Sequence, residues 1–257
     1  KPPFRCWRKP ERVLKKDLLF MPTWIDEGPP PPEPRAGGEA RSGPDYSQKS
    51  SQYFKGVRKA FVDSLPRNPE GRLLEIGCGE GGTSAYALAA GKCGWCCGVE
   101  LCEQPARAAR ARLSQVIVGN VEQIELDLPE HSFDILLLSE VLEHLVDPWT
   151  VLRRLRRLMK PGGLVRSGSP NVCHHSVVRA LLRGRWRYEQ KGIFDATHLR
   201  WFSPTTYGEL FESCGFRVDA VGPADRLRAK ARLFDVATFG QLRHLLYPQI
   251  YLQAHCD

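Results

Sequence analysis

The chain has 257 residues, a formal net charge of +8, 42% hydrophobic residues and 26% charged residues. This composition is typical of a globular protein with one sizeable core, and it excludes disordered and fibrous chains. The most apolar run, F-D-I-L-L-L-S-E-V-L-E-H-L, carries Asp134, Glu140 and Glu143, so no stretch predicts a membrane span. The nine cysteines, an odd number at irregular spacing, predict reduced thiols and a cytoplasmic setting.

Two regions differ in composition. Residues 1–45 hold a basic opening followed by a stretch rich in Pro, Gly and charge, which predicts an extended tail and linker without a core. The folded domain is predicted to cover residues 46–257. It opens with Phe54, Val57, Phe61 and Leu65 close to helical spacing, which predicts a first helix there.

Short apolar runs then alternate with amphipathic segments. The runs predict strands at 72–78, 94–101, 115–120, 133–139, 162–169, 216–223 and 249–256. The segments between them predict helices at 103–113, 148–160 and 204–215. This alternation predicts an α/β fold with a doubly wound, mostly parallel sheet. Arg166 makes the fifth strand unusually polar for that position. Residues 170–203 form a long insertion that we interpret as a substrate-side surface.

A glycine-rich run, L-L-E-I-G-C-G-E-G-G at residues 73–82, follows the first predicted strand. Gly77, Gly79 and Gly81 would permit a tight turn and a close approach of the backbone to a ligand. The run also satisfies G-x-G-x-x-G through Gly82, the fingerprint of dinucleotide binding. Glu100, at the end of the next strand, suits ribose hydroxyls in either case. On this run alone, an NAD-dependent oxidoreductase and an S-adenosylmethionine enzyme both stay open.

Further motifs separate the two interpretations. They are E-I-G-C-G-E-G at 75–81, V-E at 99–100, G-N-V-E at 119–122, S-F-D-I-L-L-L-S-E-V-L-E-H-L at 132–145 and M-K-P-G-G at 159–163. Together, in this order and spacing, they resemble the class I S-adenosylmethionine-dependent methyltransferases. The resemblance runs from about residue 53 to the end of the chain, and it implies a Rossmann-like, seven-stranded sheet with an antiparallel final strand at 249–256.

The resemblance also implies a cofactor site. The loop around the glycines would wrap the methionine moiety, Glu100 would hold the ribose, Asn120 and Val121 would flank the adenine, and Ser139 would lie near the cofactor. The family commonly has Asp where this chain has Asn120. The implied cofactor-binding residues are Glu75, Gly77, Gly79, Gly81, Glu100, Leu101, Asn120, Val121 and Ser139.

The stretch E-V-L-E-H at 140–144 resembles the E-x-x-E-H of the ubiquinone-biosynthesis O-methyltransferases and of the small-RNA 3′-terminal 2′-O-methyltransferases. In those groups two carboxylates and a His, joined by a later His, hold a divalent metal. The later His here is His198, in T-H-L-R-W-F-S-P, which resembles the quinone group. The resemblance implies Mg²⁺ or Mn²⁺ held by Glu140, Glu143, His144 and His198, with Glu143 and His144 as the catalytic pair.

Other interpretations of the same residues stay open. Acidic side chains after the fourth strand can complement a helix dipole, and His144 can be a base without metal or a packing residue. The favoured activity is O-methylation of a small molecule, sugar or natural-product metabolite. The first alternative is RNA 2′-O-methylation, which the basic charge favours, although 194–202 lacks the second His and the F-E-W run of the RNA group. The second is a non-catalytic module that binds a cofactor or a partner. The sequence does not predict an oligomeric state.

Overall fold

The computed structural model describes Tyr46, Lys49 and residues 51–224 and 227–257 of the 257-residue chain. The extended tail predicted at residues 1–45 lies outside the described residues, and it stays a prediction.

Seven strands form one sheet: β1 (Arg72–Ile76), β2 (Trp95–Glu100), β3 (Gln115–Val118), β4 (Phe133–Ser139), β5 (Met159–Pro170), β6 (Phe216–Gly222) and β7 (Gln249–Cys256). Their order across the sheet is β3-β2-β1-β4-β5-β7-β6. Strands β1 to β5 pair in parallel, whereas β7 runs antiparallel to both β5 and β6. The predicted mostly parallel, seven-stranded sheet with an antiparallel last strand is confirmed.

The described helices are α1 (Lys59–Asp63), α2 (Gly82–Ala89), α3 (Glu103–Arg110), α4 (Pro148–Leu158), α5 (His175–Leu181), α6 (Pro204–Ser213) and α7 (Ala229–Ala237). Short 3₁₀ turns occupy Ser51–Lys55, Leu142–His144 and Arg243–Leu245. Local sequence explains where α4 begins, since the Asp147 carboxylate accepts the Thr150 N–H at 3.0 Å and Pro148 follows at the first helical position.

The sheet is covered on both faces because neighbouring strand residues point to opposite sides. In β1, Leu74 packs with the cluster that includes α4 and α6, whereas Leu73 packs with the cluster that includes α1, α2 and α3. In β4, Leu138 packs in the first of these clusters and Leu137 packs in the second. All four side chains are fully buried. This two-sided burial explains the near-continuous apolar runs, and it makes the fold doubly wound.

The predicted helix from Phe54 to Leu65 is wrong over its first half. Helix α1 covers only Lys59–Asp63, and the chain before it forms a 3₁₀ turn and a short extended link. The cause is a tertiary contact: the Phe54 carbonyl accepts the Glu80 N–H at 3.0 Å from the glycine-rich loop. Val57 is 41% exposed, so its helical spacing does not reflect core packing.

Arg166 is buried in the middle of β5, which accounts for the unusual polarity of that strand. Its guanidinium donates to the Ser64 hydroxyl and to the Val165 carbonyl, both at 2.9 Å. Hydrogen bonds therefore compensate its burial.

No helix in the described part of the chain is long and apolar enough to cross a membrane. The cysteines of the same residues are all free thiols, as the irregular spacing predicted.

Candidate functional site

The carboxyl ends of β1, β2, β3 and β4 meet at one edge of the sheet, because these strands are parallel neighbours. In open α/β sheets, ligands bind beyond this edge. The predicted residues Gly77, Glu100, Asn120 and Ser139 all stand at or just after a strand end there. The structure thus brings the predicted cofactor-binding residues to one place, and their individual roles stay predictions.

The glycine-rich loop has a backbone that only glycine adopts easily. Gly77, Gly79 and Gly81 have φ values of +70°, +54° and +77°. Gly81 also begins α2 as its N-cap. A Cβ on Gly79 would lie 2.6 Å from the Phe54 carbonyl oxygen, so the close approach of the preceding chain excludes a side chain there as well. Both the turn and the space require glycine at this position.

Glu75 lies beneath this loop and contacts the start of α2. Its carboxylate accepts the Ser84 hydroxyl at 2.5 Å and the Ser84 N–H at 3.1 Å. Burial raises the pKa of Glu75 to about 7, although both hydrogen bonds from Ser84 act in the opposite direction. In this structure Glu75 therefore holds the first turn of α2, directly after the glycine loop.

Glu100 fastens the glycine loop to the end of β2. One carboxylate oxygen accepts the Gly79 N–H at 2.8 Å, and the other accepts the Cys102 N–H at 2.9 Å. The side chain is buried, and burial raises its pKa. Each carboxylate oxygen has a second lone pair, so these contacts leave acceptor capacity for ribose hydroxyls. Leu101 next to it is 43% exposed.

Asn120, predicted to flank the adenine, uses its side chain differently from the prediction. The Asn120 side-chain oxygen accepts the Glu122 N–H at 3.0 Å and so closes a local turn. The amide oxygen predicted for adenine is thus already shared with the backbone. Val121 is buried against the core, with 7% of its surface exposed.

A segment that the sequence analysis missed covers the same edge. We call the described residues of this segment, Tyr46, Lys49 and 51–58, the strap. Its Phe54 carbonyl accepts the Glu80 N–H, and the Arg58 N–H donates to the Thr83 hydroxyl at 3.2 Å. The Tyr46 ring lies 6.3 Å from that of Tyr53. No motif or apolar periodicity in Y-S-Q-K-S-S-Q-Y indicates this position, since tertiary contacts determine it.

Three predicted ligands come together beside the strap. Glu143, His144 and His198 each offer a ligand atom, and these atoms all lie within 4.8 Å of one another. All three side chains are buried, with exposed fractions of 1%, 6% and 6%. Backbone hydrogen bonds bring the distant His198 here, because the Glu143 carbonyl accepts the N–H groups of Leu199 at 2.8 Å and of Arg200 at 2.9 Å.

The two imidazoles are oriented alike. His144 Nδ1 lies 3.0 Å from the Thr197 carbonyl oxygen, and His198 Nδ1 lies 3.3 Å from the Ile193 carbonyl oxygen. A carbonyl only accepts, so we assign the proton to Nδ1 in both rings, which leaves each Nε2 as an unprotonated acceptor. Metal-ligating histidines usually have this arrangement, with the second ring nitrogen held by a carbonyl or carboxylate.

Burial determines the protonation of the cluster. It lowers the pKa of His144 to about 4, helped by the neighbouring His198, and it lowers the pKa of His198 as well. The pKa of Glu143 is raised well above its ordinary value, by burial first and by Glu140 second. Neither Glu143 oxygen has a hydrogen-bond partner among the described residues. A buried carboxylate without a hydrogen bond is costly, and the nearby Ser169 hydroxyl and Arg58 guanidinium lower its pKa by less than burial and Glu140 raise it.

This donor set fits a divalent metal ion. Two imidazole nitrogens and a carboxylate converge, and the carboxylate is orphaned without a cation. The carboxylate suits Mg²⁺ or Mn²⁺, whereas the two imidazoles also suit Zn²⁺ and Fe²⁺.

Glu140 lies apart from this group. Its φ of +56° is not helical, and the 3₁₀ turn that carries Glu143 and His144 begins only at Leu142. Its carboxylate pairs instead with the Arg58 guanidinium and with the Gln249 side-chain amide. Arg58 also donates to the Ser139 hydroxyl at 3.1 Å. The physical reason is competition, since a cation from the strap already satisfies this carboxylate.

Comparison with known proteins agrees with this geometry. Residues 47–221 match the family model described as a methyltransferase domain. The chain belongs to this methyltransferase family.

Curated relatives of the methyltransferase carry more specific names. The chain is 30% identical to a ubiquinone biosynthesis O-methyltransferase of Neisseria meningitidis serogroup A, over 54% of this chain and 61% of that protein. It is 31% identical to one of Cereibacter sphaeroides, over 63% of this chain and 65% of that protein. It is 32% identical to a 27-O-demethylrifamycin SV methyltransferase of Amycolatopsis mediterranei, over 40% of each. The chain thus spans less than two thirds of the length of these relatives.

Solved structures share the fold of the methyltransferase. A SAM-dependent methyltransferase from Archaeoglobus fulgidus has a TM-score of 0.60 at 21% identity, covering 83% of this chain and all of that one (100%). The Haloferax volcanii complex of the Trm112 methyltransferase activator and its putative methyltransferase matches with a TM-score of 0.56 at 17% identity, over 80% of this chain and 92% of that one. These likenesses show the class I methyltransferase fold, and the family implies S-adenosylmethionine as the methyl donor.

Proposed function

We propose that this methyltransferase moves the methyl group of S-adenosylmethionine to a hydroxyl oxygen of a small-molecule acceptor, with help from Mg²⁺ or Mn²⁺. One observation carries the metal-assisted part: the buried, unpartnered carboxylate of Glu143 lies beside the free Nε2 atoms of two histidines. The printed names of the relatives, which are O-methyltransferases of ubiquinone and rifamycin pathways, support oxygen as the atom that is methylated.

The proposed cofactor site uses the carboxyl edge of the sheet. The glycine loop would approach the methionine moiety, Glu100 would accept hydrogen bonds from the ribose, and Asn120 with Val121 would flank the adenine. Ser139 and Leu101 complete the proposed set. Methyl transfer from a sulfonium is a direct displacement, so these residues contribute mainly by aligning the methyl group with the acceptor oxygen and excluding water.

The proposed acceptor site is the cluster of Glu143, His144 and His198. Glu143 would receive the proton of the acceptor hydroxyl on an oxygen that the ion leaves free, while His144 and His198 complete the ligand set. Without an ion, the unprotonated Nε2 of His144 would receive that proton instead. A divalent ion bound there lowers the pKa of a hydroxyl that it contacts and fixes the oxygen in place. Glu140 is the proposed fourth ligand. To bind the ion, its carboxylate must first break its ion pair with the Arg58 guanidinium.

Methyl transfer is tested with methyl-labelled S-adenosylmethionine. The acceptors are a catechol, a monohydric alcohol, a reducing sugar and a short RNA with a free 3′ end, each with added Mg²⁺, with added Mn²⁺ and with a chelator. We expect transfer to a small-molecule hydroxyl that the chelator abolishes and either ion restores. Transfer to the RNA alone would favour the alternative activity, and transfer that is unchanged in chelator would exclude the metal.

A matched pair of variants locates the activity. Glu143→Gln removes the charge of the buried carboxylate, whereas Glu125→Gln makes the same change at an exposed position. We expect the first to reduce turnover by at least about a hundredfold, the range for a positioned acid–base group. The second should leave turnover unchanged.

A further inference from the structure

A buried ion pair joins the strap to the loop that carries His198. The Lys49 ammonium group pairs with the Asp195 carboxylate, and the two side chains are only 7% and 4% exposed. Lys49 also donates to the Gln190 carbonyl at 2.7 Å and lies 4.9 Å from the centre of the Tyr53 ring. Burying two charges is expensive unless their geometry is well satisfied. This pair is therefore a specific anchor and not a solvated surface contact.

Asp195 connects this ion pair to the backbone around His198 and to the residue that faces His144. The carboxylate oxygen that Lys49 does not contact accepts the Thr197 N–H at 2.9 Å and the Thr197 hydroxyl at 2.7 Å. The Thr197 carbonyl is the group that faces His144 Nδ1. The Asp195 carbonyl in turn accepts the His198 N–H at 3.1 Å. The Asp195 side chain thus holds the residue whose carbonyl orients the His144 ring, and its backbone carbonyl holds the backbone of His198.

The same anchor places an aromatic ring on the cluster. The backbone N–H of Lys49 donates to the Tyr46 carbonyl at 3.0 Å, so this hydrogen bond ties Tyr46 to Lys49. The Tyr46 ring then lies 5.7 Å from the His144 ring, measured between centroids. Tyr46 is half-buried, and burial together with nearby Glu143 and Glu100 raises the pKa of its hydroxyl. The Tyr46 ring therefore packs beside the proposed acceptor site.

We propose that Lys49 is a positioning residue of the methyltransferase. By pairing with Asp195 it fixes the loop that presents His198 and the Thr197 carbonyl, and it holds the Tyr46 ring over His144. The inference rests on the proposed function, because the cluster that Lys49 serves is the proposed acceptor site. Phe54 and Arg58 hold the rest of the strap through contacts of their own, so the cofactor side does not depend on Lys49.

Binding measurements on the full chain test this role without turnover. Lys49→Met removes the charge, Lys49→Arg keeps it, and Lys55→Met makes the first change on an exposed part of the same strap. We expect Lys49→Met to weaken Mn²⁺ binding at least about tenfold, the usual effect of losing a residue that orients metal ligands. S-adenosylhomocysteine affinity should stay within about threefold, and Lys49→Arg should recover part of the lost Mn²⁺ affinity. Equal Mn²⁺ affinities in Lys49→Met and Lys55→Met would overturn the proposal.

A second measurement separates this proposal from the proposed function. If the unsubstituted chain binds no Mn²⁺, the metal-assisted function fails, and amide hydrogen exchange decides the role of Lys49. We then expect faster exchange at Thr197 and His198 in Lys49→Met than in Lys49→Arg, and equal rates would overturn the role. If Lys49→Met does not fold, Lys49→Met combined with Asp195→Asn removes both charges and keeps an oxygen for Thr197. That double variant should show the same loss of Mn²⁺ affinity. If the unsubstituted chain binds no metal, it should show the same faster amide exchange at Thr197 and His198. A double variant with the affinity or exchange rates of the unsubstituted chain would overturn the role.

Discussion

His144 and His198 lie far apart in the chain, yet their imidazole rings are 4.8 Å apart and both point Nδ1 at a backbone carbonyl. The contact exists because Glu143, the residue before His144, uses its own carbonyl to hold the backbone just after His198. The same short turn therefore carries Glu143 and His144 and also holds the backbone next to His198.

Glu140 and Glu143 should contribute unequally to metal binding. Glu143 is orphaned without a cation, whereas Glu140 must first give up Arg58 and Gln249. We expect Glu143→Gln to weaken Mn²⁺ binding by about tenfold to a hundredfold and Glu140→Gln to weaken it less, within the range for changes close to a metal. Titration of Mn²⁺ followed by electron paramagnetic resonance measures both. A larger loss in Glu140→Gln would mean that Glu140 is the main ligand.

Gly79 should be intolerant of a side chain for two reasons. Its φ is +54°, and a Cβ would meet the Phe54 carbonyl. Gly162 is a matched control, since its φ is +74° and a Cβ there would have nothing within 4 Å. We expect Gly79→Ala to weaken S-adenosylhomocysteine binding at least about tenfold, because the loop must move, while Gly162→Ala costs only the backbone strain of about 1–2 kcal/mol. Calorimetric titration and denaturant unfolding distinguish them, and equal behaviour would contradict the account.

Glu100 should matter for cofactor affinity through its hydrogen bonds to the loop. Removing its carboxylate leaves the Gly79 and Cys102 N–H groups without an acceptor. Hydrogen bonds to a charged group contribute about 1.5–3 kcal/mol, so Glu100→Ala should weaken S-adenosylhomocysteine binding by about tenfold to a hundredfold. The control is Glu103→Ala on the exposed start of α3, where an unchanged affinity is expected. If both variants bind equally, Glu100 has no part in the cofactor site.

Glu75 should make stability depend on pH. Burial raises its pKa from an ordinary 4.5 to about 7, so the native state holds this proton more tightly than the unfolded chain does. The Glu75 contribution to the free energy of unfolding is therefore fully present below about pH 4.5 and is lost as pH rises to about 7. At 1.36 kcal/mol per pKa unit the loss is about 3 kcal/mol.

Denaturant unfolding at several pH values tests this, with Glu75→Gln as the comparison. The difference in unfolding free energy between the unsubstituted chain and Glu75→Gln should fall by about 3 kcal/mol between pH 4.5 and pH 7. A difference that is constant with pH would show that Glu75 keeps an ordinary pKa in the folded chain.

Local pattern predicted the sheet well, because its strands carry strong signals. The bounds of β4 and β7 match the predicted ranges, and β4 carries an uninterrupted apolar run over 135–138. The prediction of the first helix was wrong over its first half because the Phe54 carbonyl accepts a hydrogen bond from the glycine loop, a contact that no local pattern encodes.

The candidate site was predictable only in part for the same reason. The motifs named Glu143, His144 and His198, which do converge. They did not indicate that Arg58 would pair with Glu140 or that Lys49 would pair with Asp195. Both cations belong to the strap, whose position depends on tertiary contacts. Asp195 opens the stretch D-A-T-H-L-R-W-F-S-P that contains His198, but its position in the sequence does not indicate a partner.

Label transfer from methyl-labelled S-adenosylmethionine to a catechol, with Mg²⁺ and then with excess chelator, tests whether Glu143, His144 and His198 form the acceptor site. We predict transfer to a catechol oxygen that needs the ion and falls at least about a hundredfold in Glu143→Gln. Transfer that continues undiminished in chelator and in Glu143→Gln would contradict the assignment of this cluster as the acceptor site.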